Sequence, residues 1–356
     1  MEIKMELSKL QKEIVNATEP YIVVVASAAA GKTRVLTERV RKMLRDGTDP
    51  KDIAVITFTN LAAQELKERL AGDYKDGIYI GTIHSLANYM LLSHGIDTKA
   101  YLDNDKFDLL FAAVKKNPQC IKHIRHILLD EAQDTSPEEY EFIFDIINPV
   151  TFFVAGDYNQ SIYSFKGCDP ELFNQLMEQP DVTVYNLNEN YRNGNNILNF
   201  AKKILSESYA FDKSVAMRPG GTVWEGEATI ENLKNWIQRQ GEFKDWAVLC
   251  TTNGIIAEIR EQLEALDIPS VSFRQGEVTK DQLEEMMNSN CVKVLTYWSA
   301  KGLEFPNVAA WKPKNWGGDE TCRVNYVGAT RAKDILLWME EPHKKKKPIK
   351  QKSKWF

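Results

Sequence analysis

Several things are scarce in this sequence. The five cysteines, Cys120, Cys168, Cys250, Cys291 and Cys322, lie far apart and form no Cys-x-x-Cys pair. That argues against zinc ribbons, iron–sulfur clusters and a disulfide framework, and fits a reducing compartment. Histidine occurs five times. His123 and His126 have the spacing of one helix face, but no third ligand accompanies them, so they read as structural or exposed. No apolar run is long enough to cross a bilayer, and the first residues lack the pattern of a secretory leader. A cytoplasmic setting without membrane contact is therefore expected. Excess positive charge is absent too: the net charge is −5, so any nucleic-acid binding needs a local basic groove.

What is present is the balance of a soluble protein with a substantial core. The 356 residues are 43% hydrophobic and 27% charged, enough for about two domains. Short β-branched runs at Tyr21–Ala26, Ile53–Thr57, Ile78–Gly81, Ile127–Leu129, Thr151–Ala155 and Val182–Tyr185 read as strands. Amphipathic stretches such as Thr33–Leu44 and Leu61–Leu70 lie between them. Alternating strands and helices predict a parallel α/β sheet covered on both faces. A second set of strands follows at Gly221–Trp224, Trp246–Cys250, Ser270–Phe273, Val292–Thr296, Val308–Trp311 and Ile335–Met339. The expected organisation is a first α/β domain over 1–187, with a reduced helical insertion over 86–125, and a second over 188–340. Residues 341–356 are a lysine-rich tail closed by Trp355 and Phe356. No core could use so many cations, so an exposed, disordered tail is expected, serving either DNA or a docking partner.

Two motifs carry chemistry. Ala26-Ser-Ala-Ala-Ala-Gly31-Lys32-Thr33 follows a strand and opens a helix, the context of a phosphate-binding loop. The N–H groups of Ala28, Ala29, Ala30 and Gly31 would cradle phosphate. Lys32 would reach the β- and γ-phosphates, and the Thr33 hydroxyl would hold Mg²⁺. Only Gly31 is a glycine, and at Ser27 or Ala29 a positive φ would be costly. Alone, the segment also fits an ordinary strand–helix turn. The second motif, His126-Ile-Leu-Leu-Asp130-Glu131-Ala-Gln133-Asp134, is an apolar strand ending in acids. Asp130 would bind Mg²⁺ and Glu131 would activate the attacking water. Two acids at this distance from Gly-Lys-Thr in a parallel α/β pattern make a nucleoside-triphosphate hydrolase the specific reading.

Through nearly its whole length the chain then resembles the UvrD/Rep/PcrA group of superfamily-one helicases. Gln11 resembles the glutamine that reads adenine. Thr57-Phe58-Thr59-Asn60 and Gly81-Thr-Ile-His84-Ser85 resemble motifs that touch DNA. Gly156-Asp-Tyr-Asn-Gln160-Ser-Ile-Tyr163-Ser-Phe165-Lys166-Gly167 resembles the motif joining the γ-phosphate to DNA. Asn190-Tyr191-Arg192, Lys301-Gly-Leu-Glu304-Phe305 and Tyr326-Val-Gly-Ala-Thr-Arg331 complete the set.

The resemblance implies two RecA-like motor domains that use ATP and Mg²⁺ to move on single-stranded DNA, 3′-to-5′, and to unwind duplex DNA at single-strand/duplex junctions. Gln160 would sense the γ-phosphate, with Arg192 and Arg331 as arginine fingers. Tyr191 would stack on adenine, Arg34 would lie beside the base, and Glu304 would contact ribose. Phe58, Thr59, Asn60, His84, Tyr163, Phe165, Lys166, Trp298 and Lys301 would face DNA, although some of these aromatics also fit a core.

Two residues depart from the family. Trp298 stands where histidine is usual, and Lys166 where arginine is usual, keeping charge but losing the bidentate fork. The intervals after Ser85 and after Asn253 are too short for the large insertions of bigger relatives. A stripped motor is expected, assisted by a replication or repair protein. The rivals are a translocase that remodels protein–DNA complexes and a nucleotide-gated DNA-binding module without hydrolysis.

Overall fold

The computed structural model describes residues 6–72, 77–102, 107–121, 123–206, 212–274, 276–312 and 319–340. The lysine-rich tail lies outside them. The first half builds one sheet from β1 (Tyr21–Ala26), β2 (Ile53–Ile56), β3 (Tyr79–Gly81), β4 (His126–Leu129), β5 (Thr151–Gly156) and β6 (Thr183–Leu187), in the order β3-β2-β4-β5-β1-β6. Every pairing is parallel. Parallel strands need crossovers, and the crossover helices cover both faces, so the strands are apolar on both sides. Ile22, Val24, Ile53 and Val55 point to one core, shared with Val35 and Leu36 of the helix Lys32–Arg45 and Leu66 of the helix Asn60–Leu70. Val23, Ala54, Ile56 and Ile127 point to the opposite core.

The segment after Ser85 packs on that opposite core. It is helical, with Ile83–Leu92 and Asp108–Lys116 as its main helices. Leu86, Met90, Leu110, Phe111 and Val114 sit in the same apolar cluster as the β-strands, and Phe111 stacks on Phe142 at 4.5 Å. These helices form one covering layer of the first sheet. His126 opens β4 rather than sharing a helix face with His123, and its Nδ1 lies 2.8 Å from the Thr151 hydroxyl.

In the second half β7 (Glu189–Gly194) and β8 (Val215–Arg218) pair with each other alone. They were not anticipated, because Glu189–Gly194 is polar and shows no apolar alternation. What holds β7 is side-chain bonding: the Asn193 amide donates to the carbonyls of Thr330 and Ala332 at 3.1 and 2.5 Å. The remaining strands are β9 (Thr222–Glu227), β10 (Trp246–Cys250), β11 (Ser270–Val271), β12 (Val292–Thr296), β13 (Phe305–Lys312) and β14 (Ala332–Glu340). They form a second all-parallel sheet, ordered β11-β12-β10-β13-β14-β9. All twelve anticipated strands occur, with ends shifted by a few residues.

The two halves share a core. Ala28, Ile162, Tyr163 and Cys168 from the first lie in one cluster with Leu249, Leu295, Ala300, Phe305 and Val324 from the second. The carboxyl ends of the first sheet's strands, where open α/β sheets hold ligands, therefore face the second half.

Candidate nucleotide cleft

β1 runs into the loop of Ser27 to Gly31. Ala29 adopts φ +58°, the left-handed conformation that its side chain makes costly. Gly31 has φ +85°, and a Cβ there would lie 3.0 Å from the Gln11 amide. A glycine is thus favoured at 31, while at 29 the surrounding structure holds an alanine against its preference. The bend is clamped by the other half: the Asn190 amide donates to the Ala28 carbonyl at 3.0 Å, and the Tyr191 N–H to the Ala29 carbonyl at 3.3 Å.

Lys32 and Thr33 open the helix after this loop, and the acids at the end of β4 meet them. The Lys32 ammonium lies 3.5 Å from Glu131, and the Thr33 hydroxyl donates to Asp130 at 3.0 Å. Glu131 itself has φ +56°, a strained turn that aims its carboxylate back at Lys32. Gln133 fixes that aim by donating to Glu131 at 2.5 Å and accepting from the Asp157 N–H at 2.9 Å.

The second half supplies arginines. Arg331, 1% exposed, donates to the Gln160 side chain at 3.3 Å and to the carbonyls of Leu303 and Val327. Arg192 is held by Glu304 at 2.7 Å and by the Thr330 carbonyl at 3.1 Å. Lys333 pairs with the same Glu304 at 2.5 Å.

One cavity of about 790 Å³ is lined by Ala29 to Arg34, Asp130, Glu131 and Gln160 from one side and Arg192, Glu304 and Arg331 from the other. Gln11, Ala28 and Tyr191 do not line it. The Gln11 amide is occupied by the Ala30 carbonyl and the Ser8 N–H, behind the loop.

Burial and charge set the protonation of the site. Burial would raise Glu131, but Lys32 and then Lys301 overcome it and pull the carboxyl down to about 2. Burial wins at Asp130, reinforced by Glu131, and pushes it up to about 6. Lys32 is raised because Glu131, Asp157 and Asp130 outweigh its own burial. Burial, with Arg192 beside it, lowers Arg331 to about 9.

Asp134 and Asp157 are also pushed up to about 6, mainly by burial. A buried carboxyl that holds its proton more tightly than in the unfolded chain adds stability below about pH 4. That contribution is lost as pH rises through about 6. Asp157→Asn removes one such group. Its melting temperature should therefore gain on that of the unsubstituted protein as pH is raised from about 4 to about 7. Melting curves across that range check this; a pH-independent difference would show that Asp157 is not raised.

Against this geometry, the pattern of the UvrD/REP helicase N-terminal domain matches residues 7–110 and 105–181, and that of the UvrD-like helicase C-terminal domain matches residues 274–340. The chain belongs to the UvrD-like helicase family. It is similar to DNA helicase II of Haemophilus influenzae, 24% identical over 393 residues covering 78% of this chain and 53% of the relative. It is similar to the ATP-dependent DNA helicase Rep of Escherichia coli, 26% identical over 352 residues, 70% of this chain and 52% of the relative. The Gabija protein GajB of Bacillus cereus is 27% identical over 237 residues, 54% of this chain and 48% of the relative. The chain spans about half the length of the curated relatives it matches.

For a UvrD-like chain, the residues expected on DNA divide into three groups. Phe165 is 66% exposed, at the edge of Trp298 with ring centroids 6.0 Å apart, and Lys166 and Asn60 are exposed as well. Phe58, Thr59, His84 and Trp298 are half-buried. Thr59 caps the helix Asn60–Leu70, His84 pairs with Glu139 at 3.4 Å and stacks on Phe111, and the Trp298 indole donates to the Ile162 carbonyl at 2.9 Å.

Tyr163 and Lys301 are buried, Tyr163 in keeping with the core alternative and Lys301 unlike an exposed DNA contact. Tyr163 stacks on Phe58 at 5.1 Å inside the shared core. Lys301, 7% exposed, is ion-paired with Asp134 and donates to the Gln160 carbonyl at 2.7 Å. A desolvated ammonium needs such partners, so Lys301 ties the second half to the acidic motif rather than presenting charge to solvent. Asp134, Gln133 and Asp157 were not anticipated as site residues. The only signal was their place inside motifs whose neighbours were already assigned.

Proposed function

We propose that this chain is an ATP-driven motor that moves along single-stranded DNA, 3′-to-5′, and acts at single-strand/duplex junctions. The observation that carries the reading is the cleft. Phosphate-loop, acidic and γ-phosphate-sensing residues stand on one wall, and two arginines of the other half stand on the opposite wall. Phosphate entering between Lys32 and Glu131 gives the Lys32 charge a new partner and frees the carboxylate to hold the attacking water. Arg331 and Arg192 then neutralise charge that develops on the γ-phosphoryl oxygens. Because the fingers belong to the other half, binding favours a tight cleft and hydrolysis relaxes it.

Mg²⁺ fits the donor set: Thr33 and Asp130 place a hydroxyl and a carboxylate together, and such sites use few protein oxygens and rely on substrate phosphates for the rest. Bound there, the ion would neutralise β- and γ-phosphate oxygens.

The track reading rests on Phe165. An exposed ring beside Trp298 and Lys166 offers a base-stacking face next to a cation. Phe165→Ala should weaken single-strand binding by about 1–3 kcal/mol. Its melting temperature should barely change, since the ring is mostly in solvent. Fluorescence-anisotropy titration with an oligonucleotide decides; unchanged affinity would move the track elsewhere.

Strand separation by one copy should be weak, because the intervals after Ser85 and after Asn253 are too short for the large insertions of bigger relatives. ATPase measured with and without single-stranded DNA, followed by unwinding of 3′-tailed and 5′-tailed duplexes over a range of protein concentrations, tests the whole reading. No DNA stimulation would remove the motor, and a 5′-tail preference would reverse its direction.

A further inference from the structure

The start of the phosphate loop touches a residue that the nucleotide chemistry leaves unused. The Ser27 hydroxyl donates to Asp212 Oδ1 at 3.1 Å, and the Tyr326 hydroxyl donates to Asp212 Oδ2 at 2.9 Å. The Ser214 N–H and hydroxyl complete the shell, each at 2.7 Å. Four donors converge on this one carboxyl group. Ser27 belongs to the first half; Asp212 and Tyr326 belong to the second. Tyr326 is fully buried in the helix Asp319–Ala329, which leads directly into Arg331. The Arg331 guanidinium and N–H bond back to that helix at Val327 and Gly328. A small shift of the helix therefore carries the guanidinium with it.

We propose that Asp212 is a positioning residue that couples the phosphate loop to the helix carrying Arg331. It rests on the nucleotide-cleft reading above. The carboxylate bridges the loop in one half and the arginine-bearing helix in the other. Phosphate that settles in the loop, and the finger that must meet it, are thereby held in one register. A residue that merely closed the turn at Ser214 would need neither Ser27 nor Tyr326.

Single and double variants across the junction test it. Ser27→Ala and Tyr326→Phe each remove one hydroxyl and no backbone contact. Each should lower kcat of DNA-stimulated ATP hydrolysis about three- to thirtyfold, with KM for ATP little changed. Breaking either arm breaks the same coupling, so the double variant should be no slower than the slower single one. Ser27→Thr, which keeps a hydroxyl, should restore turnover. Melting temperatures separate these effects from misfolding. Costs that multiply in the double variant, or kcat unchanged in both singles, would overturn the proposal while leaving the cleft reading intact. An unsubstituted protein without ATP turnover would overturn both.

Discussion

Glu131→Gln should retain ATP but hydrolyse it about 10²–10⁴ times more slowly, the usual contribution of a positioned base. The substitution is nearly isosteric, so Gln133 and the turn at φ +56° can persist. What disappears is the negative charge facing Lys32 across 3.5 Å. In the free cleft that charge is tightly held, since Lys32 keeps the carboxyl far below its ordinary range. On the proposed reading a triphosphate would compete for the same ammonium, and only then would the carboxylate become an acceptor for water. Nucleotide affinity should therefore stay level or rise as turnover falls, because removing Glu131 also removes a repulsion toward phosphate. Single-turnover hydrolysis with an equilibrium binding assay measures both. Near-normal turnover would remove Glu131 from the chemistry.

Arg331→Ala should lower DNA-stimulated kcat by about 10³–10⁵, the range for an arginine finger. Arg331 is more demanding to test than a surface arginine. It is buried, and its bonds reach Gln160 across the cleft and Leu303 and Val327 within the second half. Loss of packing must therefore be separated from loss of charge. Arg331→Lys keeps a cation but not the planar fork; it should fold normally and still lose most of the rate. Arg192→Ala offers the contrast, because Arg192 is paired with Glu304 and the Thr330 carbonyl rather than with Gln160. Equal kcat for Arg331→Lys and the unsubstituted protein, at equal melting temperature, would assign the finger to Arg192 alone.

Much of this protein could be read without coordinates. Strands buried on both faces are short, apolar and β-branched, and helices between them are amphipathic, so both parallel sheets were legible from local pattern. That Lys32, Thr33 and the Asp-Glu strand end meet was legible too, because each motif is a run of residues adjacent in sequence. What local pattern could not decide was which exposed-looking residues the second half would cover. Lys301 and Tyr163 stand in motifs that suggest a DNA surface, yet contacts across more than a hundred residues bury them. Glu189–Gly194 has no strand pattern, and side-chain amides bonding to carbonyls near Thr330 make it one. The helices after Ser85 gave no sign of the face they would cover.

The sequence by itself determined the two α/β sheets and the motifs that line the cleft, because apolar β-branched runs, 3.6-residue periodicity and contiguous motifs are properties of neighbours along the chain. Only the tertiary structure decided that Lys301 pairs with Asp134, that Arg331 meets Gln160, and that Ser27 and Tyr326 share Asp212. Those choices are made by desolvation. A charge or hydroxyl taken out of water must find a partner, and which partner is nearest depends on how the two halves close.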